Sequence, residues 1–498
     1  MKTAGSATHS RTLGALNARL ALRWKRLDGR FLPFADAASA ELPLSRLLRL
    51  ALFQVSVGVA LALLVGTLNR VMIVELRMQA WLVALMVALP ILAAPFRALI
   101  GHRSDTHASV IGWRRVPYLW LGTMLQFGGL AIMPFALLLL TGEGELGLGW
   151  LGQGAAALAF VMTGAGLQTT QTAGLALAND LAPERTRPRV VALMYVMLLL
   201  GMLVGGLVCS ALLTTFSPTR LIQVVQGAAL LTVLLNGLAV WKQEARNPNR
   251  RRSADEPAPA FTPRWKSFIA QPKARRFLWA VALGTGAFNM QDVVLEPYGG
   301  EILGLSVAAT SMLTAISAAG ALLAFALAAR WLSRGGCPSR VAATGALIGL
   351  PAFAAVIFSA PLGSPDLFRA GTALIGFGGG LFAVGTLTVA MSLENADHAG
   401  LALGAWGAVQ ATAAGLSVAA GGAVRDLMSG LATQGHLGTA LNSPVTGYSF
   451  VYHIELYLLF AALAAIGPLV RPLGSSRSSG SRKAAPDSKR FGLADLPG

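Results

Sequence analysis

Charge is what this sequence lacks most. Of its 498 residues only 12 % are charged and 54 % are hydrophobic, where a soluble globular protein carries about 25 % charged residues. That deficit excludes a water-soluble multidomain enzyme, and for most of the length it excludes low-complexity disorder. Cysteine is almost absent. Cys209 lies within an apolar stretch and Cys337 in a short basic loop, so no disulfide framework, zinc site or thiol chemistry is indicated. Catalytic and nucleotide motifs are missing too. There is no Gly-x-x-x-x-Gly-Lys-Ser/Thr, no Gly-x-Ser-x-Gly and no His-Glu-x-x-His. Gly376-Phe-Gly378-Gly379-Gly380 sits inside an apolar run with no preceding strand, and reads as helix packing rather than a dinucleotide loop. The chain reads as a non-enzyme, with no catalytic residue and no metal site. No early apolar segment marks a cleavable signal, because the first 46 residues are basic and polar.

What is there is a succession of long apolar runs. With about 20 apolar residues needed per membrane crossing, twelve spans are expected. They cover 47–69, 79–100, 116–141, 150–178, 188–213, 220–242, 275–296, 305–332, 339–360, 366–392, 399–425 and 447–470. The segment 243–274, with Arg250, Arg251, Arg252 and several prolines, divides them six and six. The expected organisation is a basic cytoplasmic segment 1–46, a six-helix half 47–242, a cytoplasmic linker 243–274, a second half 275–472 and a disordered tail 473–498. The 56 glycines fit close helix packing in lipid.

The formal net charge of +18 does not indicate nucleic acid, because the basic residues lie in tails and loops. If the N-terminus is cytoplasmic, about 35 of the 40 Lys and Arg residues fall on the inner side, leaving Arg70, Arg77, Arg220, Arg369 and Arg425. This bias predicts N-in and C-in topology, with anionic lipid as a partner of the basic segments.

Polar residues inside apolar spans are functional candidates. Gln168 and Gln171 share a face of span four. Asn69 closes span one. Asn289, Gln291, Asp292 and Glu296 lie towards the outer end of span seven. Gln410 and Trp406 are in span eleven, and Gln126 in span three. Interhelical hydrogen bonding is the competing account, and the preferred one for Gln126 and Gln410. None of the six histidines reads as lying at mid-membrane. His453, opening span twelve with Glu455 two residues on, is the one best placed to ligate a magnesium porphyrinoid. The middle of the membrane reads as empty of carboxylates, which disfavours proton-coupled transport.

Gly101-His-Arg103-Ser-Asp105 followed by Gly112-Trp-Arg114-Arg115 resembles the signature loop of the major facilitator superfamily, with about four extra residues between Asp105 and Gly112. Two six-helix halves in parallel repeat are that superfamily's plan. The fold class expected is therefore all-α integral membrane, with twelve transmembrane helices.

Longer motifs are more specific. Gly66-Thr-Leu-Asn-Arg-Val-Met-Ile-Val-Glu-Leu76, Ala94-Pro-Phe-Arg-Ala-Leu-Ile-Gly-His-Arg-Ser-Asp-Thr-His107 and Gln126-Phe-Gly-Gly-Leu-Ala-Ile-Met-Pro-Phe135 resemble the PucC family. So do Asp292-Val-Val-Leu-Glu-Pro-Tyr-Gly-Gly-Glu301 and Leu401-Ala-Leu-Gly-Ala-Trp-Gly-Ala-Val-Gln-Ala-Thr-Ala-Ala-Gly415. The ending, Val451-Tyr-His-Ile-Glu455 through Gly467-Pro-Leu-Val-Arg471, is similar to the LhaA branch. The resemblance implies an assembly factor for the light-harvesting 1 core antenna of a phototrophic bacterium. It implies bacteriochlorophyll and carotenoid as candidate cargo. Antenna α and β polypeptides, bacteriochlorophyll synthase and the membrane insertion machinery are the implied partners. The alternative on the same fold is secondary transport of a small solute or a tetrapyrrole.

Overall fold

The computed structural model describes residues 42–92, 113–140, 149–183, 186–244, 268–393 and 401–470. Among these there is no strand. The first half is built from α1 (Leu44–Glu75), α2 (Ala80–Leu92), α3 (Val116–Leu140), α4 (Gly149–Leu181), α5 (Arg187–Leu212) and α6 (Pro218–Val240). The second is built from α7 (Pro272–Asn289), α8 (Val307–Ser333), α9 (Pro338–Ser359), α10 (Pro365–Ser392), α11 (Leu401–Thr433) and α12 (Val445–Ile466). Ten of these helices are long and apolar enough to cross a membrane by themselves. The description of α2 ends at Leu92, and α7 opens on the charged run Lys273, Arg275 and Arg276.

Helix starts follow the local chemistry. Ser217, Ser306 and Ser364 each accept a hydrogen bond from the backbone N–H three residues on, capping α6, α8 and α10. Proline occupies the first turn of α5, α6, α7, α9 and α10, where its missing N–H costs nothing.

The span boundaries shift at two places. α1 does not stop at Asn69 but runs to Glu75, where Arg77 at φ 51° turns the chain in the left-handed region. Arg70 is buried and paired with Glu75, so the charge is absorbed inside the helix instead of ending it. α11 extends past Arg425 to Thr433, because Arg425 is held by Glu301 and Asp426.

The halves meet along two seams, α5 against α8 and α2 against α11. Small residues make both possible. A Cβ on Gly206 would press on the Ala315 backbone of α8, and one on Gly422 would clash with Ala80 and Ala84 of α2. The outside of the bundle carries a belt of exposed apolar side chains, including Phe135, Leu234, Trp279, Leu323 and Phe460. An exposed apolar surface of that extent belongs in lipid.

Candidate functional site

Two helices lose regular α geometry at corresponding places. In α1 the segments Ala62–Leu68 and Val71–Glu75 are π-helical. α7 passes through a 3₁₀ turn, Met290–Val293, into the short helix Leu295–Glu301. Such departures within a helix cluster at functional sites. Here they bring the polar residues of both helices together.

Asn69 is fully buried and donates to the main-chain carbonyl of Asp292 at 3.1 Å and to Glu296 Oε2 at 3.4 Å. Its own Oδ1 accepts from the Arg70 N–H at 2.6 Å. Thr314 of α8 donates to Glu296 Oε1 at 3.2 Å, and Gln291 Nε2 donates to Asp292 Oδ1 at 2.7 Å. Thr67 and Ser311 share a hydrogen bond of 2.9 Å. Neither Asp292 nor Glu296 enters an ion pair among the described residues. Arg70 Nη2 donates to the Leu305 carbonyl at 3.1 Å, adding a further bond between the halves.

One carboxylate corrects the expectation that the bilayer middle is empty. Glu455 lies midway along α12, fully buried, beside Asp292 and against the 290–293 turn. Among the described residues neither of its carboxyl oxygens makes a full hydrogen bond, the Gln291 backbone being the polar group that faces it, and the hydroxyl of Tyr452 has no partner. The ring of Tyr298 packs edge-on against Tyr448 and Tyr452, with centroids 5.4 and 5.5 Å apart. The spacing Tyr448, Tyr452, Glu455 places all three on one helical face, and that periodicity was the available signal.

The other candidates are dispersed. Asn289 is half-buried and spends its amide on the Thr285 carbonyl of its own helix. Gln168 is half-buried, with Oε1 unpartnered, while Gln171 donates to Gln54 at 3.5 Å. Gln126 bonds Thr232 at 3.1 Å beside the Ser56–Asn236 pair, so its role is interhelical. Gln410 is half-buried with no hydrogen bond among the described residues. Trp406 is half-buried and donates to Thr386 at 3.3 Å, which ties α11 to α10. His453 is not at the mouth of α12 but eight residues inside it, on the exposed side.

Gly101, Arg103, Asp105 and Gly112 of the signature loop lie outside the described residues, as do His9, His102, His107 and His398. Arg114 and Arg115 are described, and both pair with Asp180 at the end of α4, at 2.5 and 3.0 Å. Sequence reasoning missed the fourth member of this corner. The Glu244 carboxylate accepts from the backbone N–H groups of Arg114, Arg115 and Val116, capping α3 from just beyond α6.

Comparison with known proteins agrees with this architecture. Among solved structures, a bacterial homologue of the human lysosomal transporter Spinster matches with TM-score 0.63 at 14 % identity, covering 85 % of this chain and 95 % of that one. A point mutant of the nucleoside transporter NupG matches with TM-score 0.63 at 15 % identity over 86 % of this chain and 100 % of its own. These likenesses show the fold, that of the major facilitator transporters. Among sequences, an uncharacterised protein of the puhA–bchM intergenic region of Rhodobacter capsulatus is 52 % identical over 96 % of this chain and 98 % of its own length. Protein PucC of Rhodovulum sulfidophilum is 57 % identical over 77 % of this chain and 86 % of its own. The bacteriochlorophyll synthase 44.5 kDa chain of Rhodobacter capsulatus is 31 % identical over 74 % and 84 %. The family described as PUCC protein matches residues 67–473, from the last part of α1 to beyond α12, and the chain belongs to that family.

Proposed function

We propose that this protein is a non-enzymatic assembly factor for the light-harvesting 1 core antenna. In this reading it handles bacteriochlorophyll and shepherds the single-span antenna α and β polypeptides while pigment is inserted. It sits in the inner or intracytoplasmic photosynthetic membrane with both termini cytoplasmic. Bacteriochlorophyll synthase and the insertion machinery are its neighbours there, and carotenoid is a second candidate cargo. The family membership supports the reading.

The observation that carries it is an exposed stripe near the start of α11, continuing the face with which Gly415 and Gly422 meet α2. Gly404, Ala408 and Thr412 recur every four residues and are all exposed. A Cβ on Gly404 or Gly407 would meet nothing within 4 Å. Such a stripe lets a guest helix approach closely, the main source of helix association where lipid removes the hydrophobic drive. The polar cluster around Asn69 supports the same view, because its donors are spent on protein groups rather than left for a small polar solute. Its part is to fix how the two halves sit.

The test is deletion in a phototrophic host, with complementation by the intact gene and by Gly404→Leu and Ala408→Leu variants. The intact gene should restore core-antenna absorption and the variants should not. The tagged protein should copurify with antenna polypeptides in less than fixed ratio. Unimpaired core antenna in the deletion strain would overturn the reading. Secondary transport, the second reading, has the buried acids Asp292, Glu296 and Glu455 in its favour. It predicts uptake by reconstituted vesicles and a preparation free of antenna polypeptides.

A further inference from the structure

His453 occupies an expensive position. It projects from α12 on the exposed side, between Phe450 and Tyr457, and the Tyr457 ring is 69 % exposed. An imidazole facing hydrocarbon costs free energy unless something engages it. Among the described residues only one of its nitrogens is engaged. Nδ1 lies 2.7 Å from the carbonyl oxygen of Ser449, one turn back. A carbonyl only accepts, so in the neutral ring Nδ1 carries the proton and the lone pair is left on Nε2. Nε2 has no partner among the described residues. A histidine whose far N–H is fixed by a backbone carbonyl is arranged as metal ligands usually are, with tautomer and ring orientation set in advance.

The surroundings narrow the occupant. His453 lines a groove of about 500 Å³ with Leu441, Val445, Phe450, Ile454 and Tyr457. The short turn Thr439–Leu441 forms its upper rim, held by the Thr446 hydroxyl bonded to the Leu441 carbonyl at 2.6 Å. Among the described residues, no charged residue lines the groove and no second metal-ligating side chain reaches it. A free metal ion would need several protein ligands and finds one. A ligand that brings four of its own nitrogens, is flat and apolar, and lacks a single axial ligand matches the site. The volume is in the range of small-molecule pockets.

We propose that His453 Nε2 is the axial ligand of a magnesium tetrapyrrole held in this groove, on the outside of α12 and away from the cleft between the halves. The inference rests on the pigment-handling reading above and places the pigment. Phe450 and Tyr457, on either side of His453 along the helix, would flank the bound ring, and Leu441 would bound it at the end of the groove. A site on the outer surface can pass its ligand sideways to a partner helix without the two halves opening.

The test uses the full chain purified in mild detergent from a host that makes no bacteriochlorophyll, titrated with bacteriochlorophyll a. The coordination state of the magnesium is read from the Qx band and from resonance Raman spectra. Wild type should bind with one nitrogen axial ligand. His453→Leu should weaken binding at least about tenfold, the scale on which even outer-shell changes act. His453→Gly should regain the five-coordinate spectrum when imidazole is added. Because His453 is exposed, His453→Leu should keep the wild-type melting temperature, while His453→Gly should melt slightly lower because glycine is a poor helix former. Undiminished binding and an unchanged Qx band in His453→Leu would overturn the proposal. If that binding were then lost in Asn69→Leu, the pigment would belong between the halves and the assembly reading would stand. Absence of binding by wild type would overturn the proposal as well, while core-antenna accumulation in the deletion strain judges the assembly reading independently.

Discussion

The side-chain amide of Asn69 donates to the main-chain carbonyl of Asp292, 3.1 Å away and in the other half of the molecule. The amide sits between the two π-helical segments of α1, and the carbonyl lies within the 3₁₀ turn that interrupts α7. Irregular backbone presents carbonyls that a straight helix would use internally. The turn of α7 thus supplies the acceptor that the Asn69 side chain takes, and the same amide also donates to Glu296.

Asn69→Leu should separate this contact from its surroundings. The loss should be about 1 kcal/mol, since interhelical hydrogen bonds in membrane proteins are modest. It is read as a lower melting temperature in detergent. Combining it with Glu296→Gln should give less than the sum of the two single effects, because the residues share a hydrogen bond. Strict additivity would show that Asn69 acts on the carbonyl alone.

The Glu244 cap makes a second prediction. One carboxylate serves three consecutive backbone N–H groups at the start of α3, beside the Arg114–Asp180–Arg115 cluster. Glu244→Ala should destabilise by about 1–2 kcal/mol, the range for lost helix caps. Glu244→Gln should fall between, because it keeps an acceptor and loses the charge that favours a helix N-terminus. The measurement is thermal unfolding monitored by tryptophan fluorescence, aided by Trp113 and Trp120 nearby.

Glu455 makes a third. Among the described residues its two buried carboxyl oxygens make no full hydrogen bond, with only the Gln291 backbone facing them, so the carboxyl adds little to stability through hydrogen bonds. Replacing an unpaired buried polar group by an apolar one of similar shape is neutral or stabilising. Glu455→Met should therefore leave the melting temperature unchanged or raise it. Core-antenna accumulation in a complemented deletion strain should nonetheless fall, because an acid kept at such cost is kept for use. A destabilised variant would assign Glu455 to packing.

Much of this was legible in the sequence for a simple reason. Membrane spans are set by the length of apolar runs, so the order of helices and the six-plus-six division could be read directly. The ends were less legible, because Arg70 and Arg425 look like boundaries until their partners Glu75, Glu301 and Asp426 are placed. Of the site, Asn69, Gln291, Asp292 and Glu296 were visible as polar residues in apolar surroundings. Their convergence was not, since it depends on how α1 and α7 bend. Glu455 was overlooked for the opposite reason. It stands two residues from His453 in the chain, but on a helix the two face different ways, one into the core and one outward.

Close backbone contact between helices gives the final prediction. Gly376 of α10 lies so near the backbone of Ser317 in α8 that a Cβ would overlap the Ser317 carbonyl. Backbone cannot move aside as a flexible side chain can, so the helices themselves must separate. Gly376→Ala should cost about 1–3 kcal/mol, the usual range for overpacking. Gly154→Ala on α4 is the matched control. A Cβ there meets nothing within 4 Å, and alanine is the better helix former by about 1 kcal/mol. It should leave stability unchanged or raise it slightly. Comparing the two melting temperatures isolates the steric contribution, because both changes add one methyl group to a helix interior and differ only in what it touches.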